Sequence, residues 1–169
     1  MSIARKLTRI LRHLFTTRWS ARRCFPPEVL AQIEAAIAEV ESRHAGEVRF
    51  VVESALDLPE LWTGETPRER ALEWFGRLGV WDTEANDGVL IYVLLADHDV
   101  EILADRGIAR RVPPEDWEAV CHEMEEHYRA GRFAEGSVAG IRAVGRLLAK
   151  HFPGSRPDPN ELPNQPVLL

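Results

Sequence analysis

Residues 88–104 read GVLIYVLLADHDVEILA, and no other stretch limits the possible fold as strongly. The run from Gly88 to Ala96 is short, apolar, rich in β-branched residues and bounded by turn-forming residues. Those are the marks of a strand buried on both faces. The Asp97-His98-Asp99 turn is too short for a crossover, so the alternating segment VEILA at 100–104 must return antiparallel. Upstream, VRFVV at 48–52 is a second continuous apolar run of the doubly buried kind. Strands of this sort need cover on both sides.

The rest of the chain supplies that cover. PPEVLAQIEAAIAEV reads as a helix begun by prolines, with Val29, Ile33, Ile37 and Val40 as its buried stripe and Leu30 and Ala36 beside it; Gly46 ends it. TPRERALEWFGRLG places a capping box at Thr66 and Glu69, puts Pro67 in the first turn, and stops at Gly79. Its apolar face is Ala71, Leu72, Trp74, Phe75 and Leu78. A third helix starts at the prolines near 113 and lines up Trp117, Val120, Cys121, Met124 and Tyr128, which makes Cys121 a core thiol rather than a reactive one. The last runs from Phe133 to Phe152, turns Val138, Ile141, Val144 and Leu148 inward, and carries small residues in GRFAEGSVAG suited to close helix packing. The predicted fold class is α/β: a three-layer α/β/α sandwich with a small mixed sheet. A right-handed crossover through the 66–79 helix makes the first two strands parallel.

Charge divides the chain. The net charge is −6, yet residues 1–23 hold seven basic residues and no acid, which leaves 14 basic against 27 acidic residues elsewhere. The organisation expected is a basic amphipathic arm (1–23), an acidic α/β domain (24–152) and a proline-rich tail (153–169). An acidic body excludes nucleic acid as its partner. In the arm, Ile3, Leu7, Ile10, Leu11 and Leu14 fall at helical spacing between arginines and lysine. Such a helix suits an anionic membrane surface or an unidentified protein partner; the alternative is that it packs against its own acidic domain. Charges spread through the apolar positions of MSIARKLTRILRHLF unlike a secretory signal, and no apolar run reaches spanning length. Cys24 and Cys121 form no CxxC pair. A cytoplasmic location is therefore expected. Five prolines in residues 153–169 predict an extended, mobile tail.

Topology gathers the acids. The starts of the two parallel strands and the end of the third share one sheet edge, which brings together Glu47, Asp82, Glu84, Asn86, Asp87 and Asp105, with Gly88 and Gly107 allowing close backbone approach. Carboxylates at one edge repel unless a cation joins them, and hard oxygen ligands suit calcium or magnesium. The stretch 82–87 matches a calcium loop only in part, lacking the twelve-residue pattern and its late glutamate. The plainer reading makes these acids solvated turn residues and caps, with Arg106 or Arg68 as ion-pair partners, and spacing alone favours it. No GxSxG, Walker A or HExxH motif offers a competing chemistry.

GEVRFVVE, RALEWFGRLGVWDT and NDGVLIYVLLADHDVEILADRGI together resemble the TPM domain family, named for a thylakoid lumen phosphatase, a photosystem II repair protein and an accessory protein of levamisole receptors. The resemblance covers about residues 26–152, and the start RILRHLF and close NELPNQPVLL look like the short soluble bacterial branch. It implies the α/β/α sandwich, a divalent cation (calcium in some members) at the acidic edge, and the acid phosphatase activity proposed for the plant branch. The matching positions are Asp82, Asn86-Asp87-Gly88 and Asp105. Many secreted members have Thr-Gly-x-Gly where this chain has Ala104-Asp105-Arg106-Gly107. On this reading Asp82, Asp87 and Asp105 hold the cation, Glu47 or Glu84 completes its shell, and Arg106 with Asp105 faces the reacting phosphoryl group in a weak phosphatase. The alternative is a non-enzymatic adaptor that uses the basic helix and the proline-rich tail.

Overall fold

The computed structural model describes residues 3–154 and 160–169. Helices α1 (Ile3–Phe15) and α2 (Arg18–Cys24) precede the first core helix, α3 (Pro27–Glu41). The chain continues through β1 (Glu47–Glu53), α4 (Leu58–Thr63), α5 (Pro67–Arg77), β2 (Gly88–Leu94) and β3 (Asp99–Ala104). It finishes with α6 (Arg106–Ala109), α7 (Pro114–Arg129), α8 (Phe133–His151) and β4 (Val167–Leu168).

The sheet has the order β3-β2-β1-β4. β1 and β2 pair parallel, with Glu47 opposite Gly88 and Val52 opposite Val93, and β3 returns antiparallel to β2. Every residue of β1 and β2 is buried, as their unbroken apolar runs required. Side chains alternate across the sheet, so two cores form. Val48, Phe50, Val89, Ile91 and Val93 face one core with Ile33, Ile37, Met124, Tyr128, Ile141 and Val144 from α3, α7 and α8. Val51, Leu90, Tyr92 and Leu94 face the other, with Leu61 of α4, Ala71 and Trp74 of α5, and Val80. Full burial of a side chain such as Ile91 contributes about 1.5–3 kcal/mol. The result is the three-layer α/β/α sandwich. The small residues of α8 act as the sequence suggests: a Cβ at Gly140 would lie 2.2 Å from the Met124 sulfur, so α7 and α8 meet closely.

Local signals set the helix starts. Thr66 caps α5 and exchanges hydrogen bonds with Glu69 in a capping box. Two short helices were not anticipated. α4 is begun by an Asp57–Glu60 capping box, and α6 by Asp105 as N-cap. The arm breaks at Thr16-Thr17, where a Thr17–Ser20 capping box opens α2.

The tail departs most from expectation. Its described part, residues 160–169, lies along β1 rather than away from the domain. Val167 and Leu168 pair parallel with Val51 and Val52, Leu169 N–H donates to the Val52 carbonyl, and Leu162 is buried. The Arg49 guanidinium donates to the carbonyls of Pro163 and Gln165, and the Glu47 carboxylate accepts from the backbone N–H groups of Glu161 and Leu162. Without this strand β1 would be an open edge, which proteins generally cover. The prolines hold the tail extended, and two buried charges hold it down.

Candidate functional site

The acidic edge assembles through its backbone. Asp105 N–H donates to the Gly88 carbonyl (2.8 Å), continuing the ladder past Ala104–Val89, and Gly107 N–H donates to the Asn86 carbonyl (3.1 Å). On the other side, Glu47 N–H donates to the Asp87 carbonyl (3.2 Å). Asn86 sits at φ 55°, in the left-handed region that asparagine tolerates better than most residues. A Cβ on Gly107 would lie 2.4 Å from the Asn86 carbonyl oxygen, and one on Gly88 2.0 Å from that of Val80. No side chain fits at either point, so both glycines are required for the 82–88 loop to meet the turn at 105–107.

The carboxylates at this edge differ in their surroundings. Asp82 and Glu84 are exposed, and Glu84 N–H donates to the Glu161 carboxylate. Glu47 is buried and binds the tail. Asp87 is 3% exposed, and its N–H donates to the Thr83 hydroxyl. Asp105 is 8% exposed. One of its oxygens, Oδ1, accepts the Arg106 N–H (2.6 Å), whereas Oδ2 is buried with no hydrogen-bond partner among the described residues. Arg106 is exposed, and its Nε donates to Asn86 Oδ1 (2.9 Å). Arg68 lies elsewhere, paired with Glu101 (3.0 Å).

The ladder places Asp105 opposite Gly88, one residue along the chain from Asp87. Among the described residues no three His, Cys, Asp or Glu side chains form a group able to hold a metal ion, so the edge is not a closed cage. A hydrated ion such as magnesium uses one or two carboxylates and keeps its waters. Asp105, buried with one oxygen unpartnered among the described residues, is a carboxylate of the kind such an ion uses.

Glu41, at the end of α3, also reaches this edge and was not anticipated. It accepts the Val48 N–H (2.8 Å). Burial, opposed by that bond and reinforced by Glu47, pushes its pKa up to about 7. Its position in a helical turn pattern carried no sign of this role. A second polar group lies at the opposite edge. Glu53 accepts from Arg70 (2.7 Å), Trp74 Nε1 (2.9 Å) and the Tyr92 hydroxyl (2.7 Å), beside a cleft of about 790 Å³ that His13 and Leu14 of α1 help to line. A second cleft, of about 490 Å³, runs between β3 and α7. There burial raises Asp99 to about 6 and the Cys121 thiol to about 12, which makes that thiol inert.

The fold and its edge define a class: an α/β/α domain whose strand starts present carboxylates on a glycine-supported loop. The chain belongs to the TPM domain family, whose model matches residues 22–147. It is similar to the NMR structure of the BA42 protein from the psychrophilic bacterium Bizionia argentinensis, with 31% identity, a TM-score of 0.72, and coverage of 83% of this chain and 92% of that one. It is also similar to the solution structure of the N-terminal domain of a P. gingivalis protein, with 25% identity, a TM-score of 0.57, and coverage of 75% and 81%. No curated protein matches it. No helix among the described residues is long and apolar enough to cross a membrane.

Proposed function

We propose that this TPM-domain protein holds a hydrated divalent cation, calcium or magnesium, at the edge formed by the 82–88 loop and the 105–107 turn. The observation that carries the reading is Asp105 Oδ2, a buried carboxylate oxygen without a hydrogen-bond partner among the described residues, opposite Gly88 at the end of the 82–88 loop. Leaving such an oxygen unsatisfied costs folding free energy, and a bound cation would offset that cost. Asp105 and Asp87 would supply the ligands. Asp82, Glu84 and Glu47 add to the negative field that attracts the ion.

A cation bound there would supply Lewis-acid polarisation of a phosphoryl oxygen and a more acidic bound water. Arg106 is anchored through Nε, which leaves its terminal amino groups as donors to a phosphate monoester. The reading extends to a weak phosphatase activity on that substrate class.

The test is calcium and magnesium titration of the chelator-stripped protein, followed by calorimetry and by melting temperature. Asp105→Asn keeps Oδ1 as the cap acceptor, so the fold survives the change. Combined with Asp87→Asn, it is expected to weaken binding about tenfold or more and to abolish the rise in melting temperature on adding the ion. Unchanged affinity in the double variant would refute the site. Hydrolysis of p-nitrophenyl phosphate, measured with the bound ion and in Arg106→Ala, tests the activity separately.

A further inference from the structure

An amphipathic helix ordinarily turns its apolar stripe to the protein. α1 does the reverse. Its charged side faces the domain: Arg9 Nε (2.9 Å) and Arg12 (2.6 Å) donate to the Asp97 carboxylate, and His13 Nε2 lies 3.2 Å from it. His13 is fully buried, with Nδ1 accepting the Leu56 N–H at 3.0 Å, and Lys6 Nζ donates to the Trp62 carbonyl at 2.7 Å. Ile10 alone of the described apolar residues of α1 packs into a core. Leu7, Leu11 and Leu14 are about half exposed, and Phe15 is 80% exposed.

The neighbouring helices also carry exposed apolar side chains. Trp19 of α2 and Trp62 and Leu58 of α4 are each more than half exposed, and Leu58 lines the same cleft as Leu14. Several large exposed apolar side chains on neighbouring helices mark a candidate interaction surface. Its rim is basic. Arg12, Arg18, Arg22 and Arg23 are exposed, and the Arg23 guanidinium lies 5.1 Å from the centre of the Trp19 ring. Nearby acids are already engaged: Asp97 holds α1, Asp57 caps α4, and Glu60 pairs with Arg70. The family match begins at residue 22, so α1 lies outside the shared segment and its role is not inherited from it.

We propose that this face docks on an anionic lipid bilayer. Leu7, Leu11, Leu14, Phe15 and Trp19 would enter the boundary between headgroups and acyl chains, with the arginines at the phosphates, as in helices that lie in the membrane plane. The charge complementarity selects the occupant, since seven basic residues without an acid in residues 1–23 suit a phosphate surface. Because α1 stays anchored to Asp97 through its polar side, docking needs no rearrangement of the helix. The inference is independent of the cation site.

Sedimentation of the full chain with vesicles tests it. The protein is expected to pellet with vesicles of equal parts phosphatidylcholine and phosphatidylglycerol, to stay free of phosphatidylcholine alone, and to be released by salt. Leu11→Asp combined with Phe15→Asp should lower partitioning about tenfold or more at an unchanged melting temperature, since both residues are exposed. Arg18→Ser with Arg22→Ser and Arg23→Ser should lower it as well. Absence of pelleting at low salt, or equal pelleting of the apolar double variant, would overturn the proposal. A concentration-dependent dimer that the same double variant dissolves, with no vesicle binding, would overturn it too and assign the face to a second copy of the chain.

Discussion

Glu53→Gln is the sharpest available probe of what stabilises the sheet at its far edge. Glu53 is the last residue of β1 and 6% exposed. Its Oε1 accepts from Arg70 Nε and Nη2 at 3.1 and 2.7 Å. Its Oε2 accepts from Arg70 Nε (3.0 Å), Trp74 Nε1 (2.9 Å) and the Tyr92 hydroxyl (2.7 Å). Guanidinium and indole groups only donate. Burial, and then the nearby Glu53 charge, raise the Tyr92 pKa far above its ordinary value, so the phenol also remains a donor. Glutamine keeps the shape but replaces one oxygen with an NH2 group. Whichever oxygen is replaced, a donor then faces at least one Arg70 N–H.

Hydrogen bonds to charged groups contribute about 1.5–3 kcal/mol each, and removing one partner of a buried ion pair costs about 3–5 kcal/mol. Arg70 keeps Glu60 (3.2 Å) and Glu73 (3.1 Å), which offset part of the loss. A destabilisation of about 3 kcal/mol is therefore expected. Urea unfolding followed by tryptophan fluorescence and by circular dichroism should show it as a midpoint shift of about 1–3 M. A loss below about 1 kcal/mol for Glu53→Gln would refute the reasoning.

Two further outcomes are expected. Truncation after Gly154 removes β4, opens the β1 edge to water and takes away the carbonyl and N–H groups that Arg49 and Glu47 bond, at a cost on the order of 1–3 kcal/mol. Differential scanning calorimetry should show a lower melting temperature, partly restored by a peptide of residues 160–169 supplied in trans, and an unchanged melting temperature would refute the role given to those charges. Glu41, with its pKa raised from 4.5 to about 7, binds more protons when folded than when unfolded. Its contribution is therefore complete below about 4.5 and is lost as pH rises through 7. His44 is buried, with its pKa lowered from 6.5 to about 4, and acts oppositely: its contribution is present above 6.5 and lost as pH falls through 4. The two trends cancel between about pH 4.5 and 6.5. Glu41→Gln removes one of them, so its stability relative to the original chain should rise by about 2–3 kcal/mol between pH 4.5 and 7. A pH-independent difference in chemical denaturation would refute the linkage.

How much of this was legible in the sequence depends on the range of the interaction. The two apolar runs fixed a doubly buried sheet, and chirality fixed the pairing of β1 with β2, because both follow from local pattern and one handedness rule. The same rules placed Glu47, Asp87 and Asp105 on one edge. Which carboxylate keeps an unpartnered oxygen was not legible, since that depends on the capping geometry of a four-residue helix at Arg106–Ala109. The tail was misjudged because its anchors are remote. Proline content describes a segment by itself, whereas Arg49 and Glu47 hold this one from positions more than a hundred residues earlier in the chain.

The arm shows the same limit most clearly. Its leucine spacing defines a stripe but says nothing about which side the domain takes. That choice was made by Asp97, one residue in a hairpin turn. Burial alone would raise the pKa of its carboxyl, yet the bonds and charges of His13 and Arg9 hold it below the ordinary value. An anchored ionic side leaves the apolar side outward, with the bonds to Asp97 and the Leu56 N–H setting the orientation. That outward stripe is the surface proposed to meet the bilayer, and the vesicle experiment decides it.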